Sequence, residues 1–245
     1  VKISKLCVAC KHQRQINPPL ATAEVTDQPY LEFSCPLGHK YSYVTEDPLY
    51  EMIYDHALDA YEDENYFECY LSAVTTLERF RTDFIKAFAW EKNGEKSLDN
   101  DFKKSQAIRT SERSAGAFSA IGLVEFGDEA VPYINNMYTE LQKRNAVIHG
   151  ETMPNKETCK AMLEVVFRTV IYFNVKSINE KGNSPVARKQ IMTSEKFFEG
   201  HSEITSYGSR LYTISSIRFN ESDLRILPTY SLAKILSWHD THTRL

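Results

Sequence analysis

The residue types best suited to chemistry in this 245-residue chain begin with Cys7-x-x-Cys10, followed after 24 intervening residues by Cys35-Pro36-Leu37-Gly38-His39. Two close-spaced pairs, a hairpin's length apart, form a Cys3His pattern. Zinc takes four soft or borderline donors in a tetrahedron, and a two-residue gap lets both sulfurs of a tight turn face one centre. Cys7, Cys10, Cys35 and His39 are therefore the expected Zn2+ ligands, with His39 preferred over the competing His12 and Gly38 easing the second turn. Four ligands leave no open position, so the expected role is structural. Between the pairs, Glu24-Val25-Thr26 and Tyr30-Leu31-Glu32-Phe33-Ser34 carry strand formers, as a zinc ribbon requires. The segment is mildly basic (Lys2, Lys5, Lys11, Arg14 and Lys40 against Glu24, Asp27 and Glu32), which permits nucleic-acid contact without requiring it.

A second group of reactive side chains lies in a different setting. After Pro48 the texture turns helical, and Glu46 to Glu68 holds nine acidic residues with no Lys or Arg. One helix is expected from about Pro48 to Ala60 and a longer one from about Asn65 to Trp90. On the second, Phe67, Tyr70, Leu71, Val74, Leu77, Phe84, Ile85 and Phe88 share a stripe, and Glu78 and Arg81 fall inside it. Two charges on a buried face are costly unless they pair or serve a site, so they form either an i,i+3 ion pair across a helix interface or part of a functional centre.

Asn93 to Ser105 reads as a polar connection. Ser111 to Gly127 reads as a helix rich in small residues that admits a close neighbour, stopped by Gly127. A further helix starts near Asp128, tolerates Pro132 in its first turn and stops at Gly150. Its expected inward stripe is Val131, Ile134, Tyr138, Leu141, Asn145, Ile148 and His149, with Arg144 at the edge. Asn155 to about Glu180 is apolar on nearly every side and should be a central buried helix.

The string Arg144-Asn145-Ala146-Val147-Ile148-His149 resembles the HEPN ribonuclease motif, an Arg and a polar residue followed a few positions on by His. Thr76-Leu77-Glu78-Arg79-Phe80 and the run from Ser111-Glu112-Arg113-x-x-Gly116-Ala117-Phe118 to Glu125-Phe126-Gly127 also look like abortive-infection-type HEPN proteins. The resemblance spans about residues 48–180. It implies metal-independent cleavage of RNA, tRNA or mRNA, in a cleft shared by two HEPN domains, leaving a 2′,3′-cyclic phosphate and a 5′-hydroxyl. It implies catalytic roles for Arg144, Asn145 and His149, with Glu78 in support and Arg81 and Arg113 as further substrate contacts. The residue types suit the task, since imidazole can move a proton near neutral pH and guanidinium can offset charge on a phosphate in the transition state. One motif per chain implies a homodimer. A toxin or antiphage enzyme of this kind would also have a trigger, an antitoxin or a sensor partner. The alternative is a satisfied polar cluster in a non-catalytic zinc-ribbon adaptor that binds nucleic acid or a protein.

The fold expected is mainly α: a zinc ribbon over 1–45, a HEPN-like helical bundle over 46–181 and a small α+β extension over 182–245. In that extension, residues 204–219 suggest a hairpin and 231–238 a short helix, while His239 and His242 stand too isolated to assign. Composition agrees with a globular protein. With 42% apolar and 25% charged residues, collagen-like, disordered and disulfide-framework chains are excluded. The net charge of -4 excludes a nucleic-acid coat but leaves room for a local basic cleft. Cys69 and Cys159 sit alone in apolar stretches and are expected to be core thiols. No apolar run reaches the roughly 18 residues of a membrane helix, and the opening residues lack a signal-peptide core, so a cytoplasmic protein without membrane partners is expected.

Overall fold

The computed structural model describes residues 2–14, 16–24, 30–178, 182–201, 206–208 and 212–243. The N-terminal part is a sheet in the order β1 (Lys2–Leu6), β2 (Leu20–Glu24), β3 (Leu31–Ser34), β4 (Lys40–Thr45), its neighbours antiparallel, with a short helix α1 (Val8–His12) after β1. Alternation on β2 and β3 buries Ala21, Ala23, Leu31 and Phe33 on one face, and Tyr43 of β4 joins them.

The rest is mainly helical: α2 (Leu49–Glu62), α3 (Tyr66–Lys92), α4 (Asp99–Ser105), α5 (Ser111–Phe126), α6 (Val131–Ile148), α7 (Lys156–Lys176), α8 (Pro185–Gly200), α9 (Thr213–Ser216) and α10 (Leu232–Thr243), with β5 (Ser206–Gly208) between α8 and α9. Side-chain caps mark several starts. Asn65, Thr110, Asn155 and Ser184 accept hydrogen bonds from backbone N–H groups in the first turns of α3, α5, α7 and α8. The starts of α3, α5 and α7 open on stretches that bury an apolar face, which sustains long helices.

The bundle closes on α3 and α7. Phe84 of α3 packs among Phe80, Phe88, Phe118 and Phe173 at centroid separations of 4.5–5.8 Å. Gly122 of α5 makes this possible: a Cβ there would stand 2.8 Å from the Phe173 ring, so only glycine lets α5 approach α7 so closely. The small-residue helix thus acts as expected from sequence, and α7 is the buried central helix. Cys69 and Cys159 are core thiols, both fully buried.

Several expectations are corrected. Phe67 lies outside the α3 stripe and is 41% exposed, because the first turn of α3 meets its neighbours through Tyr66 and Cys69 instead. The 93–105 connection contains the short α4, whose side chains are not buried. The chain does not leave the helical body at residue 182. There α8 docks on α3 through Arg188, which pairs with Glu91 and Glu95 and lies over Trp90. Farther on, Ile214, Ile217, Leu227, Tyr230, Leu232 and Ile235 share the buried cluster of α2, α3 and α7. The N-terminus of α10 is held by α7, where Glu164 accepts from the Leu232 N–H and Arg168 donates to the Tyr230 carbonyl. Of the hairpin expected over 204–219, residues 204–205 and 209–211 lie outside the described residues. Among the described ones, β5 instead pairs in parallel with β4, extending the sheet, and residues 213–216 are helical. No helix among the described residues is long and apolar enough to cross a membrane.

Candidate metal centre and candidate active site

The ribbon places its four expected ligands together. Cys7 follows β1 as the N-cap of α1 and Cys10 lies in α1, whereas Cys35 and His39 flank the β3–β4 turn, where Gly38 takes φ +86°. His39 Nδ1 is 3.2 Å from Cys10 Sγ and 3.8 Å from Cys7 Sγ, and Cys10 Sγ is 3.7 Å from Cys35 Sγ. These are the edges of a tetrahedron around a cation with metal–sulfur bonds of about 2.3 Å, for which a sulfur–sulfur edge is about 3.8 Å. The three cysteines are buried and unbridged, so the donor set fits a resident metal ion. The surroundings fit as well: the Leu37 N–H points at Cys35 Sγ at 3.4 Å, as an outer-shell donor to a thiolate does. His12 is exposed and outside the group.

The second centre is built on α3, α5 and α6. Thr110 caps α5, which sets Ser111 at its first position, facing α3. The Ser111 hydroxyl donates to Glu78 Oε1 at 2.7 Å and accepts from Arg81 Nη2 at 3.1 Å. Glu78 Oε1 also pairs with Arg144 Nη2 of α6 at 3.2 Å. A chain of four side chains therefore runs from the core to the surface: Arg81, Ser111, Glu78, Arg144. Arg81 is fully buried, and burial pulls its guanidinium below the ordinary arginine range while the Glu78 charge opposes that shift. Glu78 and Arg144 keep 29% and 25% of their side-chain surface exposed, so the pair opens to solvent.

The i,i+3 pairing of Glu78 with Arg81 is replaced by this relay through Ser111. The stripe on α6 is also corrected, since the buried residues are Ile134, Met137, Glu140 and Val147, while Asn145, Ile148 and His149 are exposed. The helix is rotated from the expected phase, which turns Met137 and Val147 to the core. Arg144 reaches across to Glu78 of α3, the Glu140 carbonyl accepts from the Tyr70 hydroxyl of α3, and Lys143 pairs with Glu140 within α6 at 2.7 Å. His149 then sits at the C-cap of α6, one turn beyond Arg144, with its N–H bonded to the Asn145 carbonyl. Arg113 stands apart from the relay: it is exposed and donates to the Gln106 carbonyl. Arg81, being buried, stands behind Glu78 and away from any surface that could meet a substrate. Ser111 is the member that sequence reasoning gave no role; its signals were its place directly after a Thr N-cap and at the head of the segment that carries the family resemblance.

A cleft of about 700 Å³ lies elsewhere, between the ribbon, α3 and α8, and none of the motif residues line it. The chain matches no family model, no curated protein and no solved structure.

Proposed function

We propose that this chain is a metal-independent endoribonuclease of HEPN type, working as a homodimer in antiphage defence or as a toxin, with a zinc ion in its ribbon. The observation that carries the reading is the end of α6. Arg144 is held by Glu78, while Asn145 and His149, on the following turn, are exposed. Arg144 would neutralise the scissile phosphate as charge builds on it, and His149 would take the 2′-hydroxyl proton or give one to the leaving 5′-oxygen. Asn145 would orient the phosphate or the imidazole. Internal attack of the 2′-oxygen needs no metal, so the zinc would serve the ribbon alone, its four protein ligands leaving no site for substrate. One chain supplies half of a composite cleft, and exposed Ile148 and Met153 beside the motif offer apolar surface to a second copy.

The test is incubation of purified protein with tRNA and total RNA in EDTA. Cleavage to 2′,3′-cyclic phosphate ends is expected, reduced roughly 100-fold or more by His149→Ala and by Arg144→Ala. Because His149 is exposed, His149→Ala should melt like wild type, which separates lost chemistry from lost fold. Intact RNA under all conditions would overturn the reading and leave a zinc-ribbon adaptor.

A further inference from the structure

The acidic stretch of α2 and the solitary His239 are unrelated in sequence, yet the fold brings them together. We propose that Asp59, Glu62 and His239 form a second metal site, for a first-row divalent cation such as Mn2+ or Zn2+, distinct from the ribbon.

One donor atom from each of the three residues lies within 4.8 Å of the others, the separation found among ligands of a single ion. His239 of α10 is 1% exposed, and its Nε2 faces Asp59 Oδ1 at 2.9 Å. Asp59 and Glu62 are three positions apart on α2, so successive turns present both carboxylates to the same side of the helix.

An independent feature outside this trio aims the imidazole. The Thr213 hydroxyl meets His239 Nδ1 at 2.9 Å, and Thr213 is itself fixed because its N–H donates to both oxygens of Asp55 at 3.1 Å. A histidine whose far nitrogen is held by an oxygen, with its near nitrogen turned to carboxylates, has the arrangement that metal-binding histidines use to set tautomer and ring direction. The imidazole forms a buried wall, whereas the Asp59 side chain is 46% exposed, so water has access to complete the coordination shell.

The donor set selects the cation class. One imidazole and two carboxylates suit Mn2+, Fe2+ or Zn2+; the nitrogen disfavours Mg2+ and Ca2+, and the absence of thiolate among these three residues separates the site from the soft ribbon centre. Electrostatics agree, since residues 46–68 carry nine acidic side chains and no Lys or Arg, a field that draws divalent cations as it repels phosphate. Coordination through Nε2 requires that nitrogen to be unprotonated, so the ion competes with any proton held between Nε2 and Asp59.

The experiment titrates Mn2+ into chelator-treated, zinc-reconstituted full-length protein, reading free Mn2+ by electron paramagnetic resonance. One Mn2+ per chain is expected, with affinity at least tenfold weaker in Asp59→Asn, Glu62→Gln and His239→Gln, and weaker also in Thr213→Val. His239→Gln tests a buried position and can disturb folding. Glu62→Gln touches a half-exposed side chain, and its melting temperature and circular dichroism serve as the control. Absence of Mn2+ binding overturns the site, as does binding that a folded Glu62→Gln leaves unchanged.

Discussion

Glu78→Ala breaks the relay at its centre, and its cost can be worked from the geometry. The 2.7 Å hydrogen bond from Ser111 to a carboxylate contributes about 1.5–3 kcal/mol. The Arg144 pair, with both partners about a quarter exposed, adds about 0.5–1 kcal/mol after solvent screening. Arg81 loses its nearby counter-charge while fully buried and keeps only Ser111, which adds about 1 kcal/mol more. The total is about 3–5 kcal/mol, which for a chain of this size lowers Tm by about 6–20 °C. Glu78→Gln keeps an acceptor for Ser111 and should lose about half as much. In a double-mutant cycle, Glu78→Ala with Arg144→Ala should show a coupling of about 0.5–1 kcal/mol. The assay is urea denaturation followed by circular dichroism, paired with thermal melts. Glu78→Ala melting within 2 °C (about 1 kcal/mol) of wild type would refute the relay as a structural element and remove the support of Arg144 on which the active-site reading leans.

Three further outcomes follow from other parts of the fold. Gly122→Val should destabilise by about 1–3 kcal/mol in equilibrium unfolding, because its Cβ begins 2.8 Å from the Phe173 ring and the aromatic cluster cannot yield without repacking; a wild-type midpoint would contradict the packing. Cys10→Ser should release the ribbon metal, read as loss of one zinc per chain by elemental analysis, and expose the β2–β3 face to proteolysis, while α2–α7 keep their helical signal. Glu51 is buried beside Asp47 and Asp55, and burial with these neighbours pushes its carboxyl well above the usual range despite hydrogen bonds from Ser215. Its folded pKa lies above its unfolded one, so it favours the native state at low pH and stability falls as pH rises past about 4.5, at up to about 1.4 kcal/mol per pH unit until the folded pKa is reached. Glu51→Gln should therefore raise Tm at pH 7 and lose that advantage near pH 4; a constant difference across that range would refute the assignment.

Much of the fold was legible because the signals were local. The two metal-ligand pairs lie within four residues each, and the turn between His39 and Cys35 needed a glycine that the chain supplies. Helix starts at Asn65, Thr110 and Asn155 and stops at Gly127 and Gly150 depend on the chemistry of a single residue beside an orphaned N–H or C=O group. The motif at the end of α6 was legible as residue types, and Glu78 as a charge out of place on an apolar face.

What sequence determined alone was therefore the grouping of the four Cys/His residues of the ribbon and the approximate limits of the longer helices through α7. Tertiary structure decided the rest. The partner of Arg144, Glu78, lies 66 positions earlier in the chain, and which face of α6 meets the core is set by packing between helices. Docking of α8 rests on Glu91 and Glu95, and the conjunction of His239 with Asp59 spans 180 residues. Periodicity records which side chains prefer burial, but a charged residue is buried or exposed according to its partner, and only the folded chain supplies that partner.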